Sequence, residues 1–123
     1  MNQKKILIIE DDLDIRESMS ELLKEEDYFV LEAENGKVGL ELLKSLNENR
    51  PDLILLDLSM PVMGGNEFLT IQKNDPAIKD VPVAVLTAAG GTSKPPLADD
   101  FLRKPVNLDH LFRVIEKWVG KKK

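Results

Sequence analysis

The sequence predicts a doubly wound α/β domain, a five-stranded parallel sheet in the order 2-1-3-4-5 with helices on both faces and the fourth helix shortened or missing. Three observations carry this. Ile6-Leu7-Ile8-Ile9 and Leu53-Ile54-Leu55-Leu56 are unbroken apolar runs of strand length, the pattern of parallel strands covered on both faces. Such runs alternate along the chain with stretches whose apolar residues recur at helical spacing. The strands also end abruptly on acids, a hydroxyl or a lysine, so their polar groups gather where the chain leaves the sheet.

Lysines precede the first strand, and Glu10-Asp11-Asp12 ends it. Asp12 can cap a helix running through Glu25, with Ile15, Met19, Leu22 and Leu23 as the expected inner stripe. Phe29 to Ala33 reads as a second strand, shorter and nearer an edge because acids flank it. Asn35-Gly36 opens a second helix, with Val38, Leu42, Leu43 and Leu46 facing inward. It stops in Asn47-Glu48-Asn49-Arg50 before Pro51. The third strand runs into Asp57, and Pro61, Gly64 and Gly65 mark the turn after it. A third helix from about Asn66 to Lys73 buries Phe68, Leu69 and Ile71, and Asp75-Pro76 ends it. Pro82 to Thr87 is the fourth strand, and Phe101-Leu102-Arg103 is a short fifth before Lys104-Pro105. Asn107 caps a last helix with Leu108, Leu111, Phe112, Ile115 and Trp118 on one face, Trp118 anchoring the edge of the core.

Residues 1–123 make one domain of ordinary size. With 42% hydrophobic and 32% charged residues the chain is globular and not disordered. A formal charge of −5 argues against a nucleic-acid partner, and Lys121-Lys122-Lys123 is too short a run to reverse that. The absence of cysteine excludes disulfides, thiolate metal sites and a cysteine nucleophile. No apolar run reaches the roughly 20 residues of a membrane span and no signal-peptide core is present, so a cytoplasmic protein without membrane association is expected.

The order 2-1-3-4-5 places its topological switch between strands one and three, beside Glu10, Asp11 and Asp57. Carboxylates about 4 Å apart repel by on the order of 4 kcal/mol per pair at an effective dielectric near 20, so the cluster calls for a proton or a cation. A site of oxygen ligands alone selects a hard cation such as Mg2+. Thr87 adds a hydroxyl at the end of strand four, and Lys104 adds an ammonium after strand five. Each is ordinary alone; together they suit phosphoryl transfer onto the carboxylate of Asp57.

Over essentially its whole length the chain resembles the receiver domains of two-component response regulators. The matching pieces are Ile8-Ile9-Glu10-Asp11-Asp12, the run from Asp57 to Gly65, Leu86-Thr87-Ala88 and Lys104-Pro105. The resemblance implies a flavodoxin-like fold and phosphorylation of Asp57 by a histidine kinase or phosphorelay protein, followed by signalling to an unknown downstream protein. It implies Glu10 and Asp11 as metal-side acids, with Asp11, Asp57 and the main-chain carbonyl of Ser59 binding Mg2+. It further implies Thr87 and Phe101 as a switch pair, Lys104 as the phosphate-contacting lysine, and a cis Lys104–Pro105 bond.

Two departures from the family pattern stand out. Gly64 occupies a position usually acidic or Asn, and the connection from Ala88 to Asp100 is short, with Gly90, Gly91, Pro95 and Pro96 opposing a full fourth helix. A mobile loop there, a less covered Phe101 and a monomer are expected. The resemblance implies that the side chains two positions after Asp57 and Thr87 help place the hydrolytic water; here these are Ser59 and Ala89, one short and one apolar, so autodephosphorylation should be slow.

Other readings fit less well. An aspartate-nucleophile phosphohydrolase of the haloacid-dehalogenase type would place a second Asp where Ser59 stands, so an acceptor switch is expected rather than a turnover enzyme. A flavin module would need a phosphate-cradling loop after strand one, where Glu10-Asp11-Asp12 would repel phosphate. A degenerate, phosphate-independent receiver is disfavoured because each expected residue type is present. His110, in the first turn of the last helix, reads as a surface residue. Only Lys121–Lys123 follow Gly120, so a stand-alone receiver, or one excised from a larger protein, is expected.

Overall fold

In the computed structural model, which describes residues 3–58, 60, 62–87 and 94–120, the apolar runs form the predicted sheet. β1 (Lys5–Ile9), β2 (Phe29–Ala33), β3 (Leu53–Asp57), β4 (Val83–Thr87) and β5 (Asp100–Arg103) are all parallel, in the order β2-β1-β3-β4-β5. Four helices connect or flank them among the described residues: α1 (Leu13–Glu25), α2 (Gly36–Leu46), α3 (Gly65–Lys73) and α4 (Leu108–Val119). β2 lies at an edge as expected, although its five residues equal the length of β1.

Alternation of side chains along the strands builds two cores. Ile6, Ile8, Leu53, Leu55, Ala84, Leu86 and Leu102 pack with Met19 and Leu23 of α1 and Leu111 and Ile115 of α4. Leu7, Ile9, Ile54, Leu56, Val83 and Val85 pack on the other face with Leu40 and Leu43 of α2 and Phe68 and Leu69 of α3. Every residue of β3 is buried, as a central strand between two helical layers requires.

The helix stripes differ from expectation in phase. In α1 the inner face is Met19, Ser20 and Leu23, whereas Ile15 is exposed and Leu22 half-buried. One residue is 100° of helix, enough to carry Ile15 from the sheet to the rim of a groove. In α2 the deepest positions are Gly36, Gly39, Leu40 and Leu43, with Val38, Leu42 and Leu46 half-buried. Gly39 lies close to the sheet: a Cβ there would sit 2.6 Å from Ile9 Cδ1, so the Ile9 side chain would have to shift. In α4, Val114 and Val119 join Leu111 and Ile115 in the core, while Leu108 at the first turn is exposed.

Asp12, Asn35 and Asn107 cap α1, α2 and α4 by accepting from Ile15, Val38 and His110 N–H. Lys104–Pro105 is cis, as the resemblance implies. Between β4 and β5 the described residues 94–99 hold no helix, only a turn closed by Ala98 N–H donating to Pro95 C=O at 3.1 Å. Residues 88–93, which carry the rest of the expected shortened connection, lie outside the described residues, as does Ser59.

Candidate functional site

The register of the central strands assembles the site. Ile9 pairs with Leu56, so Glu10 and Asp57 come together one position further on, at the carboxyl edge of the sheet. Glu10 N–H donates to Ala33 C=O on β2 at 3.1 Å, which extends the β1 ladder by one residue and turns the Glu10 side chain into the interior, 1% exposed. Gly65 allows the return of the chain beside β3: its N–H donates to Leu58 C=O at 3.0 Å, and a Cβ would meet Leu58 Cα at 2.7 Å.

Carboxylate oxygens of Glu10, Asp11 and Asp57 lie within 4.8 Å of one another, with Glu10 and Asp57 buried and Asp11 exposed. Lys104, placed just past β5 by its N–H bond to Thr87 C=O at 2.8 Å, brings Nζ to 2.9 Å from Asp57 Oδ1 and 4.0 Å from Glu10 Oε1. Lys104 thus lies against two of the three carboxyl groups, and Glu10 Oε1 is fully buried without a hydrogen-bond partner among the described residues. Burial pushes the Glu10 carboxyl up from 4.5 to about 7. The negative charge of Asp57 and a hydrogen bond donated by the protonated Glu10 carboxyl to the Asp11 carboxylate reinforce the rise, while the Asp12 amide and Lys104 oppose it.

Thr87 is buried at the end of β4, and its hydroxyl donates to Leu102 C=O at a long 3.5 Å. Phe101 is half-buried on β5, with the Arg103 guanidinium 5.8 Å from its ring centroid. Six of the seven sequence-predicted site residues are therefore described: Glu10, Asp11, Asp57 and Lys104 converge, and Thr87 and Phe101 lie on the adjacent strands. His110 is exposed, with its backbone held by the Asn107 cap, and Trp118 is half-buried, donating from Nε1 to Asp100 Oδ2 at 2.9 Å.

Two features near the site are not legible in the residue types. Arg16 on α1 donates to the Glu10 carbonyl at 2.7 Å, a contact to backbone that no side-chain pattern announces. A groove of about 510 Å³ runs between α1 and α4, lined by Ile15, Met19, Leu22, Leu108 and Leu111 and reaching Lys104. The exposed Ile15 and Leu108 were its only signal, hidden in stripes that read as core.

A buried aspartate at the carboxyl end of β3, flanked by acids and a lysine, agrees with the family comparison: residues 6–116 match the response regulator receiver domain model. The chain belongs to this family. The receiver is 38% identical over 108 residues to Histidine kinase P4 of Formosa agariphila, covering 84% of the receiver and 8% of the kinase. It is 34% identical over 117 residues to chemotaxis protein CheY of Listeria monocytogenes, covering 92% of the receiver and 96% of that protein. The solved receiver domain of a sensor histidine kinase from Pseudomonas aeruginosa PAO1 superposes with a TM-score of 0.81 at 26% identity, covering 98% of this receiver and 100% of that chain. That structure has a magnesium ion coordinated in its active-site cleft. In this receiver, no helix among the described residues is long and apolar enough to cross a membrane.

Proposed function

We propose that this receiver accepts a phosphoryl group on Asp57 from a histidine kinase or phosphorelay protein, in a Mg2+-dependent reaction, and passes the resulting conformational change to a partner. The observation that carries the proposal is the buried Asp57 carboxylate, held 2.9 Å from Lys104 Nζ inside the cluster with Glu10 and Asp11. A carboxylate oxygen of Asp57 attacks phosphorus, the phosphorus–donor bond breaks, and the donor atom leaves with its electron pair. Lys104 supplies a fixed positive charge for the phosphoryl oxygens.

The residues present fit a divalent ion: the donors are all oxygen, and the buried Glu10 Oε1 lacks a hydrogen-bond partner among the described residues. Asp11 and Asp57 would hold Mg2+ directly with Glu10 beside them, and the resemblance adds the Ser59 carbonyl. When bound, the ion neutralises charge on the transferring oxygens. Thr87 and Phe101 carry the change outward, with Thr87 exchanging its long bond to Leu102 C=O for one to the phosphoryl group. The receiver acts as an acceptor switch that loses its phosphate slowly.

Incubation with acetyl phosphate and Mg2+ is expected to give a single phosphoryl adduct by intact mass, mapped to Asp57 after borohydride trapping and lost when EDTA replaces the metal. An adduct on another residue, or one formed equally in EDTA, would overturn the assignment.

The groove between α1 and α4 suits an apolar helix of the phosphodonor, because Lys104, which lines it, also pairs with Asp57. Ile15→Asp, at an exposed rim position, is expected to slow transfer from the cognate histidine kinase by about tenfold or more. The acetyl phosphate reaction, which needs no docking, should stay within about twofold of wild type. Phosphotransfer profiling identifies the kinase and quantitative transfer assays measure the ratio; equal loss with both donors would place the defect in the site instead.

A further inference from the structure

We propose that Arg16 is a positioning residue for the metal-side acids, fixing the backbone on which Asp11 is carried. The inference rests on the Mg2+ reading above. Asp11 is exposed and its carboxylate hangs from the β1–α1 connection, a segment that would otherwise be free to pivot past the last ladder bond. Two planar peptide groups flank the Asp11 Cα, and holding both planes sets its φ and ψ together. The preceding plane carries the Glu10 carbonyl, which accepts from Arg16 Nη1 at 2.7 Å. The following plane carries the Asp12 N–H, which donates to Glu10 Oε2 at 3.2 Å. Asp12 is fixed further by capping Ile15 N–H at 3.1 Å.

Arg16 is itself anchored. Its Nε donates to Glu32 Oε1 on β2 at 3.1 Å, and its side chain is only 15% exposed. The guanidinium thus ties α1, the edge strand and the end of β1 into one unit, using two separate donors of its planar fork. The pairing with Glu32 also offsets its charge, so a cation can stand at the acidic cluster without an uncompensated arginine nearby. Lysine could reach the carbonyl or Glu32 but has no rigid fork to serve both.

Removing this hold leaves every metal ligand in place and widens the range of positions open to Asp11. Affinity for the ion should therefore fall while the chemistry at a filled site is preserved. The test is calorimetric titration of the whole chain with Mg2+, together with acetyl phosphate phosphorylation rates measured against Mg2+ concentration. Arg16→Met is expected to weaken Mg2+ binding by about tenfold, the low end for lost outer contacts to a metal site. Arg16→Lys should recover part of that loss. In both variants the half-saturating Mg2+ should rise, while the plateau rate stays within about twofold of wild type.

A folded Arg16→Met that binds Mg2+ as tightly as wild type would overturn the proposal. So would a lower plateau rate at unchanged half-saturation. If Arg16→Met does not fold, Arg16→Lys decides by the same two readouts, wild-type affinity counting against the proposal. A wild-type chain that fails to bind Mg2+ overturns the metal reading itself and this inference with it, an outcome distinct from a wild type that binds and variants that bind equally.

Discussion

Replacing Lys104 with methionine is expected to slow phosphorylation of Asp57 by about 100- to 1,000-fold at saturating Mg2+, the usual effect of removing one fixed charge or donor from a transferring group. The lysine is well placed for this role. Its backbone is bonded to the end of β4, and its ammonium reaches across to Asp57 Oδ1 at 2.9 Å, so little reorganisation is needed when charge spreads over the phosphoryl oxygens. Affinity for Mg2+ should move the other way or not at all. Ammonium and metal both relieve repulsion among Glu10, Asp11 and Asp57, so loss of the first leaves a more negative site for the second. Time courses of adduct formation from acetyl phosphate at several Mg2+ concentrations separate the two effects. A methionine variant within about threefold of the wild-type plateau rate would remove Lys104 from the transfer step.

The residues that make this prediction possible were legible in the sequence because each stands at the end of an apolar run. Leu53 to Leu56, bounded by Pro51 and Pro61, reads as a strand covered on both faces, which puts Asp57 at its carboxyl edge, and Glu10 follows from Ile6 to Ile9 in the same way. Once strand order was inferred from the alternation of elements, their neighbourhood followed from topology. Features that depend on phase or on backbone were not legible. Ile15 and Leu108 fit an apolar periodicity whose boundary is uncertain by a residue, and that residue decides whether they face the sheet or the groove. Arg16 bonds to a carbonyl, and every residue has a carbonyl, so its partner cannot be read from residue types. Gly65 reads as part of a turn, but it also lets the chain approach Leu58 closely, and the closeness of Gly39 to Ile9 is likewise invisible in residue types.

The metal-free receiver is expected to lose stability as pH rises from about 4.5 to about 7, and Glu10→Gln should abolish that component. Burial of Glu10 at the end of β1 raises its carboxyl pKa from 4.5 to about 7 in the folded chain. Between those values the folded state holds a proton that the unfolded state has released, so each step up in pH favours unfolding. The stabilising contribution of neutral Glu10 is therefore complete below pH 4.5, falls through the interval, and is gone above about pH 7. At about 1.4 kcal/mol for each tenfold change in proton affinity, the full effect is about 3 kcal/mol. Glutamine keeps the shape and carries no proton to lose, so the difference between wild type and Glu10→Gln isolates this group from all other titrations. Urea unfolding in EDTA at pH 5 and pH 8 measures it: the variant should gain on wild type by about 2–3 kcal/mol between the two. Bound Mg2+ should shrink the gap, since a cation at Asp11 and Asp57 favours the ionised Glu10 carboxylate that burial alone disfavours. A gap that is the same at pH 5 and pH 8 in EDTA would mean that Glu10 is ionised across the whole range, and that Lys104, 4.0 Å away, outweighs burial at this site.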